Sequence, residues 1–466
     1  MRVALVNTNR IKPPIAPIGL DYVAEVLNAA GHHVEVLDLC WEDEWGSAIA
    51  NFFDGTHFDL IGVTLRNTDD CTFTSRQSFL DEFADMVGAI RKHTDAVVVL
   101  GGVGFSVIPE RVLEVCEADA GLWGDGDFDF LQLANKIERR EEWHNLSNLI
   151  WRDHGRWRRN PQSMLSLANL PPMSRTWVDN RRYFHEGGQA GIETKRGCNG
   201  VCVYCADPIA KGKKIRIRPP KTVVDELERL LEQGIDYIHT CDSEFNLPQS
   251  HALEVCQEII HRGLGDKLRW YAYCSPVPFS PEFAKLMRRA GCVGINFGVD
   301  NGDEEMLRRL RRGFMPNDIS NAVKFCKEAG IVVMLDLLLG SPGETQESIT
   351  ATIELMKRSR PERVGVALGV RVYPGTELAS LIAQHRLKEG LVREDDLSEP
   401  LFFLEPAVTP FASELLDELI GDDERFFFFD PSRPERNYNY NANQRLVDAI
   451  AQGYRGAYWD ILRRYK

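Results

Sequence analysis

Three things are scarce in this chain: positive charge, long apolar runs and a cysteine framework. Lys and Arg number 55 against 69 Asp and Glu, a formal net charge of −14. That balance excludes a general nucleic-acid-binding face, which needs clustered cations to neutralise phosphates. One basic run, residues 211–218, lies beside a group of cysteines and suits a small anion. No apolar stretch approaches the roughly 20 residues that span a bilayer. The opening MRVALVNTNRIKPP is interrupted by Asn and Thr, lacks a secretory cleavage pattern and reads as a first strand. The eleven cysteines are odd in number and eight are scattered through apolar patterns, so they read as small hydrophobes of a reducing compartment and not as disulfides. The expectation is a cytoplasmic protein with no membrane and no nucleic-acid partner.

What is present is enough apolar residue, 44% of 466, for two or three cored domains. Apolar runs at 3–6, 34–37, 60–64, 97–100 and 120–123 alternate with amphipathic stretches such as 20–30 and 79–92. Short strands alternating with helices predict an α/β, doubly wound parallel sheet over residues 1–140, with ligands at the carboxyl ends of its strands. Residues 141–188 read as a linker carrying a hairpin at 149–159. Strand candidates then recur at 190–194, 237–240, 268–273, 294–299, 332–339 and 364–370, six βα units that predict a partial (β/α)6 barrel over 189–385. Residues 386–466 form a small C-terminal extension rich in aromatics, including Phe426 to Phe429. Its Tyr438, Tyr440, Tyr454, Tyr458 and Trp459 suit either a cap over an active site or a helix packed on the barrel.

The strongest local signal is ETKRGCNGVCVYCADP, which places Cys198, Cys202 and Cys205 in one loop after the first barrel strand. Thiolates bind soft metals and iron–sulfur clusters. A structural zinc needs four ligands, so here it would require a distant fourth. Three thiolates on a four-iron cubane leave one iron open. C-x3-C-x2-C with an aromatic, Tyr204, before the last cysteine resembles the radical S-adenosylmethionine (SAM) superfamily. The resemblance implies a [4Fe–4S] cluster on those three cysteines, with SAM chelating the open iron. HTCDSEFN (239–246) resembles the acidic motif after the second strand, which makes Asp242 and Glu244 candidates for the SAM ammonium. GINFGVDNGDEEMLRRLRRG (294–313) resembles the fourth-strand motif, departing from it at Asp300 and Asn301, candidates for the ribose. GSPGET (340–345) and YPGTEL (373–378) match the turns after the fifth and sixth strands.

The front domain resembles the cobalamin-binding domain of one radical-SAM branch, through residues 13–38, GVTLRN (62–67), GGVGFS (101–106) and GDGD (124–127). That resemblance makes Asn7, Arg66, Gly101, Gly102, Gly104, Ser106 and Gly124 cofactor-binding candidates, and Arg66 and Tyr204 catalytic ones. A cobalamin-free flavodoxin-like domain, or one for another nucleotide, is the competing reading. The D-x-H-x-x-G motif is absent, NTNRIK standing in its place, so no histidine is expected on cobalt. Arg66 would face the lower side of the cofactor; its other reading is a partner for Asp69 or Asp70. The whole implies a cobalamin-dependent radical-SAM methyltransferase that carries a methyl group from SAM through methylcobalamin to a carbon of a small, aromatic-type substrate. A flavodoxin- or ferredoxin-like electron donor would serve it. Arg66-Asn67 and the aromatic tail resemble the tryptophan 2-C-methyltransferase branch. Cyclisation, ring rearrangement or oxygen insertion share the same motifs, and methylthiolation or a cobalamin/iron–sulfur sensor are the remaining readings.

Overall fold

The computed structural model describes residues 1–384, 387–392, 400–428 and 443–465. Two seven-stranded sheets dominate. In the front sheet β1 (Arg2–Asn7), β2 (His33–Asp38), β3 (Leu60–Thr64), β4 (Val97–Gly101) and β5 (Ala120–Leu122) are parallel, in the spatial order β2-β1-β3-β4-β5. Val3, Ala4, Leu5 and Val6 are all buried, as a strand covered by helices on both faces requires. The strand order reverses between β1 and β3, and the crevice at such a switch point is where doubly wound sheets hold ligands.

The 149–159 hairpin expected in the linker is part of this sheet. Its strands β6 (Leu149–Asp153) and β7 (Arg156–Arg159) pair antiparallel onto β5, Ala120 against Trp151. The physical reason is the short β5, which would otherwise be an open edge. His154 (φ 45°) and Gly155 (φ 81°) make the two-residue turn, both left-handed as a tight hairpin demands.

The second sheet is wholly parallel. It runs from β8 (Ala190–Ile192) through β11 (Tyr237–Thr240), β12 (Arg269–Cys274), β13 (Cys292–Asp300), β14 (Val332–Leu339) and β15 (Arg363–Leu368) to β19 (Phe426–Phe428). The phenylalanine run thus supplies a seventh barrel strand beyond the six expected, its outer rings Phe426 and Phe428 buried in the barrel core. Between β8 and β11, β9 (Lys195–Arg196) and β10 (Arg216–Ile217) pair antiparallel and close the base of the cysteine loop. Short strands β16 (Val370–Arg371), β17 (Leu391–Val392) and β18 (Phe402–Phe403) form a small sheet past β15.

Two features set how the domains meet. Arg175, from the segment joining them, donates to Asp21 (2.8 Å) on the front-domain helix Ile18–Ala29 and to Glu226 (2.8 Å) on the barrel helix Pro220–Glu232. Arg218 pairs with the same Glu226 at 2.8 Å, and the Tyr22 hydroxyl donates to it. All these side chains are essentially inaccessible. Farther along, Arg196 pairs with Asp127 and Arg216 with Asp125. At the opposite end of the barrel, helix Tyr458–Arg464 packs Trp459 edge-on to Tyr271 of β12 (centroids 6.0 Å apart), and Asp460 accepts from the Tyr271 hydroxyl at 2.8 Å. Tyr458 and Trp459 therefore pack as a plug on the barrel wall; Tyr438, Tyr440 and Phe429 lie outside the described residues.

Candidate active site between the two domains

Cys198, Cys202 and Cys205 are half-buried on the loop that the β9–β10 ladder closes. Gly197 makes the entry turn with φ 91°, and a Cβ there would lie 2.3 Å from the Lys214 carbonyl oxygen, so only glycine fits. Burial pushes all three thiols up, Cys205 to about 12. A soft metal displaces such protons. Among the described residues no group of three His, Cys, Asp or Glu side chains is arranged to hold a single metal ion. Arg312, which the sequence did not single out, donates to Cys202 Sγ at 3.0 Å and lies 3.2 Å from Asp300. The Tyr204 hydroxyl donates to the same Asp300 carboxylate at 2.6 Å. Glu244 stands 3.9 Å from Arg312, and its buried Oε2 has no partner. Burial raises its carboxyl to about 7, against the pull of Arg312. An orphaned carboxylate oxygen beside the cysteines is what a bound ammonium group would satisfy.

Several expected ligands have other work. Asp242 accepts from the Thr194 amide (2.8 Å), the Thr194 hydroxyl (2.6 Å) and the Lys195 amide (3.2 Å), so it ties the end of β8 and has no free face for SAM. Asp300, a ribose candidate, is paired with Tyr204 and Arg312, and Asn301 hydrogen-bonds Glu344 and Thr352. Asn7 is fully buried and donates to Asp38 and Tyr183. The Ser106 hydroxyl donates to the Gly102 carbonyl (2.8 Å) and accepts from the Gly124 amide (3.0 Å), clipping two strand-end loops together. Asn7 and Ser106 thus brace the strand-end loops around the expected cofactor site.

The strand ends of the front sheet open onto a cavity of about 160 Å³, lined by Leu20, Val99, Gly101, Gly102, Leu122 and Gly124 among others. A Cβ on Gly101 would meet nothing nearer than the Leu122 carbonyl oxygen at 3.9 Å and would project into this slot. The glycines divide their labour. At Gly102 (φ 99°) a Cβ would come within 2.4 Å of the Leu65 carbonyl oxygen, and at Gly104 within 2.9 Å of the Asn67 amide. Gly102 and Gly104 therefore let the loop after β3 close in, and that loop carries Arg66. A second cavity, of about 370 Å³, is lined by Asn9, Lys12, Arg66 and Asn67, and the buried Asn9 Nδ2 has no partner. A glycine-walled apolar slot beside a face with unused donors fits a corrinoid, whose tail is flat and whose rim is rich in amides.

Arg66 has no carboxylate partner among the described residues. Asp69 pairs with Arg371 (2.9 Å) and Asp70 holds Ser75 and the Thr72 amide, which removes the ion-pair reading of Arg66. Burial pulls the Arg66 guanidinium below its ordinary value, against the opposing electrostatic pull of Tyr458, Cys241, Tyr273 and Cys71. Cys241 and Tyr273 belong to the inner wall of the barrel, so Arg66 reaches from the front domain toward the barrel chamber. Of the eight scattered cysteines six are buried as expected; Cys71 is exposed and Cys241 half-buried.

Comparison with known proteins agrees with this geometry. Residues 192–356 match the Radical SAM superfamily and residues 4–133 the B12 binding domain. The chain is 32% identical to the tryptophan 2-C-methyltransferase of Streptomyces laurentii, over 93% of this chain and 84% of that protein. Its fold superposes on the radical S-adenosylmethionine methyltransferase of Kitasatospora setae, solved with tryptophan and a SAM analogue bound, with a TM-score of 0.91 and 30% identity over 99% of this chain and 97% of that one. The same protein with cobalamin and a [4Fe–4S] cluster bound gives a TM-score of 0.90 at 29% identity, covering 99% and 97%. No described helix is long and apolar enough to cross a membrane. The chain belongs to the radical-SAM enzymes that carry a cobalamin-binding domain ahead of the barrel, in their methyltransferase branch.

Proposed function

We propose that this enzyme moves a methyl group from SAM, by way of cobalamin, to a carbon of a small aromatic substrate. Bound cluster, SAM and corrinoid supply the methyl donor, the relay and the electrons of that chemistry. The chain's own residues bind and orient them. Cys198, Cys202 and Cys205 hold the cluster. Glu244, with its unpartnered oxygen, receives the SAM ammonium. Arg312 and Tyr204 keep Asp300 turned away from solvent beside it. Gly101, Gly102 and Gly124 wall the slot for the corrinoid tail. Arg66 would present its cation to a bound corrinoid and would disfavour a further ligand on its metal. Electrons come from a flavodoxin- or ferredoxin-type protein.

The single observation that carries this reading is Arg66: a half-buried guanidinium without a carboxylate, aimed from the cobalamin-type domain at the inner wall of a SAM-type barrel. The test is anaerobic reconstitution with iron, sulfide and cobalamin, then incubation with SAM carrying an isotopic methyl label and a reductant. The label should pass first to the corrinoid and then to a carbon of added tryptophan or another small aromatic. Label that stays on SAM would overturn the reading.

A further inference from the structure

The barrel chamber holds a polar pair that no cofactor contact uses. Asn296 on β13 and Asp336 on β14 both face inward, one strand apart. The Asn296 Nδ2 donates to Asp336 Oδ2 at 2.7 Å. That bond fixes the orientation of the amide, because the reverse would set two oxygens against each other. The Asn296 Oδ1 is then left buried with no partner, on a side chain only 4% exposed. Among the described residues no cation pairs with Asp336, which is itself half-buried. Burial raises its carboxyl to about 6.

Tyr273 shows that this pair lines a space. It keeps 40% of its surface although it stands on the inner face of a central strand, directly across from Asn296 in the β12–β13 register. That surface opens into the barrel. Its phenol lies within electrostatic reach of Asp336, Cys241 and Arg66, so the chamber is the one Arg66 enters. The His239 ring, 4.9 Å from that of Tyr273 and tilted by 50°, gives a second aromatic wall.

We propose that Asp336 and Asn296 form a subsite for a protonated amino group of the substrate, so that the enzyme selects arylalkylamines over the matching arylalkyl acids. This rests on the methyltransferase reading above. The pair presents the unpartnered Asn296 oxygen and the Asp336 carboxylate, whose negative charge repels a carboxylate or phosphate placed against it. Two oxygen-bearing side chains are too few for a hard divalent cation, which takes six or more oxygens. A neutral ring N–H brings one donor; an ammonium brings three and a charge, matching both oxygens.

The test uses the cluster- and cobalamin-loaded enzyme. Equilibrium binding of tryptamine and tyramine is compared with that of indole-3-propionate and 3-(4-hydroxyphenyl)propionate. The amines should bind about tenfold tighter or more, because an ammonium makes a charge-assisted hydrogen bond here and an acid leaves the Asn296 oxygen unpaired. Asp336→Asn should abolish that preference, and Asn296→Leu should weaken the amines while leaving the acids unchanged. Corrinoid content and circular dichroism of each variant establish that it is folded. Acids that bind as well as amines, amines that do not bind at all, or a preference that survives Asp336→Asn in a loaded, folded variant would each overturn the subsite. Label transfer from SAM to the corrinoid, run without any substrate, reports on the methyltransferase reading by itself. If that transfer proceeds and the amines fail, the subsite alone falls; if it fails, amine binding still decides the subsite.

Discussion

Two sets of buried charge in this molecule are treated in opposite ways. Where the domains join, Arg175, Arg218, Asp21, Glu226 and Tyr22 pair with one another at 2.8–2.9 Å. In the space those contacts hold open, Glu244 and Asn296 keep oxygens with no partner, Asn9 keeps a nitrogen with none, and Arg66 has no counter-ion. Desolvating a charge costs several kcal/mol, and leaving a polar atom unpaired adds to that cost. A fold bears such a cost where a ligand repays it. Paired charge therefore marks the frame of this enzyme, and unpaired charge marks its working surface.

The sharpest way to break the contrast is at the metal. Replacing Cys198, Cys202 and Cys205 together by alanine should remove the whole iron–sulfur absorbance while the front domain still binds corrinoid, since the cluster loop lies outside the front sheet. Iron retained at wild-type content would end the assignment. In the frame, Arg175→Met leaves buried Asp21 without a cation among the described residues and takes one of two from Glu226, and should cost about 3–5 kcal/mol of unfolding free energy. A loss below about 1 kcal/mol would mean the join is not a frame. In the chamber, Glu244→Gln should leave the cluster and the fold intact yet weaken SAM binding on the order of tenfold, the worth of one charge-assisted contact; unchanged affinity, measured by equilibrium dialysis, would move the ammonium elsewhere.

The smallest effect tests a carboxylate between the two classes. Asp129 is buried and has one donor, Asn148, with Asp125 and Asp127 nearby, and its carboxyl is pushed up to about 6. Because the folded value lies above the ordinary 3.8, the fold holds this proton more tightly than the unfolded chain does. The stability it lends is complete below about pH 3.8 and lost as pH rises through 6. Asp129→Asn should flatten the pH dependence of stability between pH 4 and 6, read by denaturant titration. An unchanged slope would place the titration on another group.

The architecture was legible because it is written in local patterns. Strand runs at 3–6 and 60–64 and the three spaced cysteines depend only on neighbours in sequence. The seventh barrel strand was not legible, since Phe426–Phe428 joins the sheet by pairing with Val364–Val366, some sixty residues earlier, and an isolated aromatic run has no period. Site roles divided on the same line. Asp242 and Glu244 are two residues apart in one motif, yet one is saturated by the end of β8 and the other is left open, a difference set by tertiary contacts alone. Arg312 hid in LRRLRRG: Arg308, Arg309 and Arg311 are about half or more exposed, and only the turn that follows helix Glu304–Arg309, with Arg311 left-handed (φ 59°), sets Arg312 inward. Asn296 and Asp336 belong to different strands and no motif, so only the barrel brings them together.

The claim that unpaired charge marks the working surface is tested most directly at Arg66. Loaded with cobalt(II) cobalamin, the wild-type enzyme should give an electron-paramagnetic-resonance spectrum without nitrogen hyperfine splitting, because a guanidinium, and no imidazole, faces the metal from below. Arg66→Lys should keep that spectrum, with the charge retained on a shorter and differently shaped group, and Arg66→His should introduce the splitting of one nitrogen. Nitrogen splitting in the wild-type spectrum, or an Arg66→His spectrum identical to wild type, would contradict the account.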